Sequence, residues 1–215
     1  MIDLHTHSLL SDGELLPEEL ARRAQAMGCG VLVIADHVGF SNVELVVPAL
    51  VRVAEKTTAL GGIRVVAGAE LTHCPPEQFA ELAERARVLG ARWVVGHGET
   101  LVEPVAAGTN RAAVEAGVDL LAHPGLISEE DARLAAERGV ALELTARKGH
   151  CLTNGHVAQM AGRVGATLVF GSDAHAPGDL CCREFADDVL RGAGLSEHQV
   201  EQVWSRMEAL LEGRR

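Results

Sequence analysis

No stretch of the chain reaches about 18 consecutive apolar residues, the length a membrane-spanning helix needs, so no transmembrane helix is expected. The N-terminus, MIDLHTHS, lacks the basic segment and apolar run of a secretory signal, and a cytoplasmic location is the default expectation. Cationic side chains are scarce. Lys and Arg number 19 against 30 Asp and Glu, the net charge is −11, and Lys56 and Lys148 are the only lysines. Proteins that hold nucleic acid through their surface field are basic, so neither a stable nucleic-acid partner nor a membrane partner is expected. The five cysteines (Cys29, Cys74, Cys151, Cys181, Cys182) are odd in number and contain no C-x-x-C pair. They read as reduced, mostly buried thiols, not as a disulfide framework or a thiolate zinc site. Linkers and low-complexity segments are missing too, and one domain is expected over 1–215. Self-association into a homo-oligomer stays open.

What is present is a pattern repeated seven times, an apolar run rich in Val, Ile or Leu followed by a helical stretch. The runs are MIDLHTH (1–7), VLVIADH (31–37), IRVVAGAEL (63–71), RWVVGHGE (92–99), DLLAHPG (119–125), ALELTA (141–146) and TLVFGSDAH (167–175). Between them, PEELARRAQAMG, PEQFAELAERARVLG and SEEDARLAAERG space apolar residues three and four apart. Ser11, Ser128 and Ser196 are placed as helix N-caps, and Gly28, Gly61, Gly90 and Gly139 as helix stops. A last helix is expected over roughly 196–212. Strands apolar on both faces and alternating with helices imply a parallel sheet covered by helices. The expected fold is α/β, a closed or nearly closed barrel of seven βα units, with a doubly wound open sheet as the competing architecture.

Six of the ten histidines (His5, His7, His37, His97, His123, His175) lie at or just past the C-terminal end of an expected strand. In βα barrels those ends form one face, where sites are built. Asp12, Glu70 and Asp173 fall at equivalent places. In a strand, side chains two apart share a face, so His5 and His7 offer two imidazoles to one cation, and Asp12 follows in the turn. Nitrogen and oxygen ligands without cysteine suit zinc, manganese or iron. Nine such groups are too many for one ion and fit two or three sharing a bridging carboxylate.

HTHSLLSDG (5–13), ADH (35–37), GAE (68–70), GHGE (96–99), AHPG (122–125) and GSDAH (171–175), in this order, resemble the polymerase-and-histidinol-phosphatase (PHP) superfamily. The likeness runs from residue 3 to about 176 and implies a distorted seven-stranded βα barrel with three divalent ions (Mn, Zn or Fe) at the C-terminal strand ends. It assigns His5, His7, Glu70 and Asp173 to one ion. Glu70 would bridge to a second, completed by His97 and His123, and Asp12, His37 and His175 would hold the third. Aspartate at position 12, where the family often has histidine, is the one departure. The length resembles the free-standing phosphatases.

The implied activity is hydrolysis of a small phosphate ester, such as histidinol phosphate or a nucleotide, by hydroxide held between two ions near Glu70. Glu70, Asp173, His175 and His97 are the expected catalytic residues. Asp3, Glu99 and Glu143 are expected to point inward and orient ligating imidazoles. Arg147, Lys148, Arg183 and Arg111 are the candidate phosphate contacts. His73 and His150, on loops after strands, are within reach of substrate, whereas His156 and His198 read as surface residues. The rival readings are a phosphodiesterase or exonuclease, a metal-dependent amidohydrolase and a non-catalytic scaffold. Amidohydrolases often use a bridging carboxylated lysine, but neither lysine here ends an early strand. A scaffold module would be expected to have lost ligands, and this set is complete.

Overall fold

A computed structural model of the protein describes residues 1–212; the last three positions of the expected 1–215 domain lie outside the described residues. Eight parallel strand segments, β1 (Ile2–Asp3), β2 (Val31–Ile34), β3 (His37–Val38), β4 (Arg64–Leu71), β5 (Trp93–His97), β6 (Leu120–Ala122), β7 (Ala141–Thr145) and β8 (Leu168–Gly171), form one sheet. The order is β1-β2-β4-β5-β6-β7-β8, with β3 paired to β4. The expected strand at 31–37 is therefore split into β2 and β3 around Ala35 and Asp36, and both pieces pair with β4. Helices α1 (Pro17–Ala26), α2 (Val43–Ala59), α3 (Phe79–Val88), α4 (Thr109–Glu115), α5 (Glu129–Arg138), α6 (Asn154–Val164), α7 (Arg183–Gly192) and α8 (Glu197–Glu212) link and cover the strands.

The sheet curls until β8 meets the segment after β1. This seam is not a regular ladder. Asp173 N–H donates to the His5 carbonyl (2.8 Å), His7 N–H to the Ala174 carbonyl (2.9 Å), and Ser172 N–H to Asp3 Oδ1 (3.0 Å). These bonds exclude the open sheet and make a nearly closed seven-position barrel. Asp3 is spent on this closure and touches no ligand imidazole, contrary to expectation. Its burial pushes its carboxyl up to about 6.

Local sequence explains most helix ends. α1 starts at Pro17 with Glu18 and Glu19 in its first turn, where a fixed φ and negative charge both suit a helix N-terminus. Ser128 caps α5 by accepting from Asp131 N–H (3.0 Å), and Gly139 stops it at φ 69°. Ser196 and Gln199 form a reciprocal capping box before α8. Ser11 does not cap α1; its hydroxyl donates to Asp36 Oδ1 (2.6 Å) instead. The core is one continuous cluster that includes Trp93, Phe79 and Phe170, all fully buried, and burying each such side chain is worth about 1.5–3 kcal/mol.

The strands stop short of the expected runs at their C-terminal ends. β5 ends at His97, β6 at Ala122 and β8 at Gly171. The residues beyond leave the pleat so that their side chains converge over the barrel mouth instead of alternating.

Candidate metal centre

Register sets the floor of the site. β3 pairs with β4 so that His37 lies opposite Glu70, and on the other side of β4 strand β5 places His97 two residues past Val95, the register partner of Glu70. His5 and His7 come from the closure segment, with their Nε2 atoms 3.0 Å apart. His123 and Asp173 follow β6 and β8 with φ of 27° and 53°. With His73 (φ 51°) they are the only non-glycine residues of positive φ among the described residues, and all three face this mouth. Such backbone costs about 1–3 kcal/mol each and persists where surrounding structure enforces it.

Four overlapping inner donor groups result, one of them His5, His123 and Asp173. Of the other three, His5, His7 and Glu70 form the first, with Asp173 Oδ1 3.2 Å from His7 Nε2. Glu70, His97 and His123 form the second. Asp12, His37 and His175 form the third, which His7 also adjoins. The nine expected ligands are thus all brought together, and Glu70 stands between the first and second groups. Its carboxylate oxygens lie 3.4–3.6 Å from the Nε2 atoms of His5, His7 and His123. Donors bonded to one cation at about 2.0–2.2 Å sit roughly 3–3.5 Å from each other, so these separations suit a shared ion.

Burial grades across the mouth. Glu70, His5 and His7 are fully buried, whereas the side chain of His37 is 24% exposed and that of Asp12 57%. Both Glu70 oxygens are buried without a hydrogen bond; His37 Nδ1 is 2.7 Å from Oε2 but is angled towards Thr72 Oγ1 instead. A buried carboxylate left this way is costly unless something else satisfies it. Burial opposes its charge, yet the imidazoles of His5, His37 and His97 hold the Glu70 carboxyl well below its usual range. Burial and neighbouring imidazoles push His7 and His123 well below theirs, which leaves neutral rings with a lone pair to donate. Asp173 is raised to about 7, first by burial and then, against the pull of His5, by the charges of Glu70 and Glu143. Against burial, the surrounding carboxylates raise His5 well above its usual range, His37 to about 10, and His97 and His175 above theirs. Orphaned oxygens, the neutral rings of His7 and His123 and a mixed nitrogen and oxygen donor set fit divalent cations.

Behind the donors, Glu143 is fully buried, with Oε1 2.8 Å from His5 Nδ1 and Oε2 accepting from His123 N–H (2.9 Å). It fixes the His5 ring and the backbone of His123, the inward orienting position expected of it. Glu99 does not do this. The chain leaves β5 at His97, alternation ends there, and Glu99 Oε1 instead accepts from Gly108 N–H and Asn110 N–H at the start of α4. Asp36, which sequence reasoning passed over, accepts from Ser8 N–H, Ser8 Oγ and Ser11 Oγ at 2.6–2.7 Å. It clamps the HTHSLLSDG turn that presents Asp12. Its position immediately before His37 was the only available signal.

The candidate phosphate contacts divide. Arg147 pairs with Asp179 (2.9 Å), whose Oδ2 also accepts from His175 N–H, so its guanidinium lies beside the third group. Lys148 is exposed on the adjoining turn. Arg183 is not brought to the mouth: it stacks on Trp204 (4.2 Å), pairs with Asp187 and Glu201, and belongs to the α7–α8 packing. Arg111 is likewise held by Glu130 and Asp131 of α5. His150 is buried, stacks on His123 at 4.2 Å and is fixed through Nδ1 by Thr100 Oγ1 (2.7 Å). His156 is half-buried and bonds the Ile127 carbonyl (2.8 Å), while His198 is exposed.

A parallel βα barrel with histidines and carboxylates gathered over its C-terminal strand ends defines a metal-binding α/β barrel. Within that class the chain belongs to the PHP domain family, which it matches over residues 3–147. It is 44% identical over 203 residues to an uncharacterised protein of Methanocaldococcus jannaschii, covering 94% of this chain and 93% of that one. A shorter likeness, 37% over 70 residues, is to a 5'-3' exoribonuclease of Haemophilus influenzae, covering 33% of this chain and 23% of that protein. Among solved structures, histidinol phosphate phosphatase of Lactococcus lactis, complexed with zinc, L-histidinol and phosphate, has the same fold. Its TM-score is 0.63 at 17% identity, over 91% of this chain and 94% of that one. Among the described residues no helix is long and apolar enough to cross a membrane.

Proposed function

We propose that the protein is a metal-dependent phosphoesterase that hydrolyses a small phosphomonoester, such as histidinol phosphate or a nucleotide. The observation that carries this reading is Glu70, a buried carboxylate shared by two donor groups with both oxygens free of hydrogen bonds. Membership of the PHP domain family and the fold shared with a histidinol phosphate phosphatase support it. His5, His7, Glu70 and Asp173 would hold one ion, Glu70, His97 and His123 a second, and Asp12, His37 and His175 a third, each manganese, zinc or iron. When bound, such cations polarise phosphoryl oxygens and lower the pKa of water.

The chain's own groups do the rest. Glu143 keeps the His5 ring turned so that Nε2 faces Glu70. Asp179 holds the Arg147 guanidinium beside His175, where its N–H groups can meet a phosphoryl oxygen. Glu70, His97 and Asp173 line a floor closed to solvent, and the half-exposed Asp12 side marks the approach for substrate. Net charge argues against long polyanions.

The short match to an exoribonuclease favours one second reading, cleavage of nucleotide diesters. The test is turnover by protein loaded separately with Mn²⁺, Zn²⁺, Fe²⁺ or Mg²⁺, read as inorganic phosphate from monoesters, nitrophenolate from the diester and shortened products from the oligonucleotide. The substrates are histidinol phosphate, nucleoside monophosphates, a bis-nitrophenyl phosphodiester and a short oligonucleotide. Selective monoester turnover is expected. Cleavage of the diester or oligonucleotide alone would move the assignment to the second reading, and silence at full metal occupancy would overturn both.

A further inference from the structure

Besides Glu143, a second carboxylate stands outside the inner donor groups yet touches one of their members. Glu103 lies on the loop between β5 and α4. Its Oε2 is 3.0 Å from His97 Nε2 and 3.1 Å from His73 Nε2, and its Oε1 is 3.4 Å from His150 Nε2. Among the described residues no arginine or lysine pairs with it, and the three imidazoles are its ion-pair partners. The base of the loop is pinned by Glu99 and Asn110, which bond each other's backbone (3.0 and 2.9 Å), while its Glu103 side chain is 38% exposed.

His73, His97 and Glu103 meet the same spacing as the inner donor groups. They differ in exposure. The side chains of His73 and Glu103 are each 38% exposed, whereas those of Glu70 and His123 are 0% and 2%. His97 belongs to both sets and is itself buried. Its Nδ1 is spent on the Gly98 carbonyl (3.1 Å), so Nε2 is its one free donor. A single lone pair bonds one cation at a time, so the two positions hold the same ion in turn. Passage inward keeps His97 and exchanges His73 and Glu103 for Glu70 and His123. At no point does the ion enter the buried floor without protein donors, a state that would cost heavily.

We infer that His73, His97 and Glu103 form an outer cation position through which the divalent ion of the Glu70–His97–His123 group is loaded and released. The inference rests on the reading that the inner group holds a cation. It gives Glu103 a role that the ligand motifs leave unassigned, and it gives the strained His73 backbone (φ 51°) a purpose.

The test is exchange of isotopically labelled zinc into the zinc-loaded full chain, followed by metal mass spectrometry. Glu103→Gln and His73→Asn are the variants, since asparagine tolerates positive φ. Glu115→Gln, an exposed residue at the far end of α4, is the control for lost charge. Exchange of one equivalent is expected to slow about tenfold or more in both variants, because each removes one donor of the outer position, and Glu103→Gln also removes a charge that steers the ion. Total zinc content and the control's exchange rate should stay unchanged. Unaltered exchange in both variants overturns the inference, and so does a loss of bound zinc, which would make Glu103 and His73 permanent ligands. A Glu70→Ala protein holding as much zinc as the wild type would instead overturn the inner site, and the loading route with it.

Discussion

Replacing Glu143 with glutamine tests whether the carboxylate behind the donors sets their chemistry. The substitution conserves shape in a side chain with no exposed surface, so packing is preserved. Its hydrogen bonding cannot be. Glu143 now faces His5 Nδ1 (2.8 Å) with one oxygen and His123 N–H (2.9 Å) with the other. An amide that keeps its oxygen on His123 N–H turns its NH₂ towards His5 Nδ1, and the ring must then accept there and carry its proton on Nε2. That is the nitrogen aimed at Glu70, so the tautomer needed for a ligand is lost. The reversed amide leaves His123 N–H facing another donor. Losing such a supporting partner typically weakens metal affinity about 10–100-fold. The forced tautomer puts Glu143→Gln at the upper end, roughly 2.7 kcal/mol. Gly171→Ala should act through the same group, because a methyl there collides with Glu143 Oε1 and comes within 2.8 Å of His5 Cβ. Chelator-competition titration with Zn²⁺ or Mn²⁺, alongside circular dichroism, measures both effects. Weakened metal binding with a native spectrum is expected; wild-type affinity in Glu143→Gln would refute the reasoning.

Metal binding should also depend on pH through Asp173, whose carboxyl is raised from 3.8 to about 7 in the metal-free protein. A cation must displace that proton and those held by His5, raised well above its usual range, and His37, raised to about 10, so affinity is expected to drop at least about tenfold per pH unit below 7 and to go on rising above it. Between 3.8 and 7 the folded protein holds a proton that the unfolded chain has released. Asp173 therefore contributes less to metal-free stability as pH rises through that window. Competition titrations at about pH 5.5 and about pH 8 check this, and a flat profile would remove Asp173 from the ligand set. Arg183→Ala, by contrast, should leave KM for a phosphomonoester unchanged. It should lower stability by about 0.5–1 kcal/mol through loss of the Trp204 stack. A raised KM with unchanged thermal stability would return Arg183 to the site.

The alternation of apolar strands with amphipathic helices, and the residues that end the strands, were legible in the sequence. Both are local: side chains two apart share a strand face, and parallel strands send all their C-terminal ends one way. The arrival of His37 and His97 at one mouth follows from that, whereas His5, His7, His123 and His175 lie past the strand ends, where the closure seam and turns aim them. Tertiary structure decided what depends on partners far apart in the chain. It gave Glu143 to His5 across 138 positions and spent Asp3 on the barrel seam with Ser172. It turned Glu99 to the start of α4, brought Glu103 against His73 and His97, and drew Arg111 and Arg183 into helix-to-helix pairs. An arginine in a strand-end loop meets phosphate or a neighbouring carboxylate according to which is nearer in space. Only the packed barrel supplies that distance.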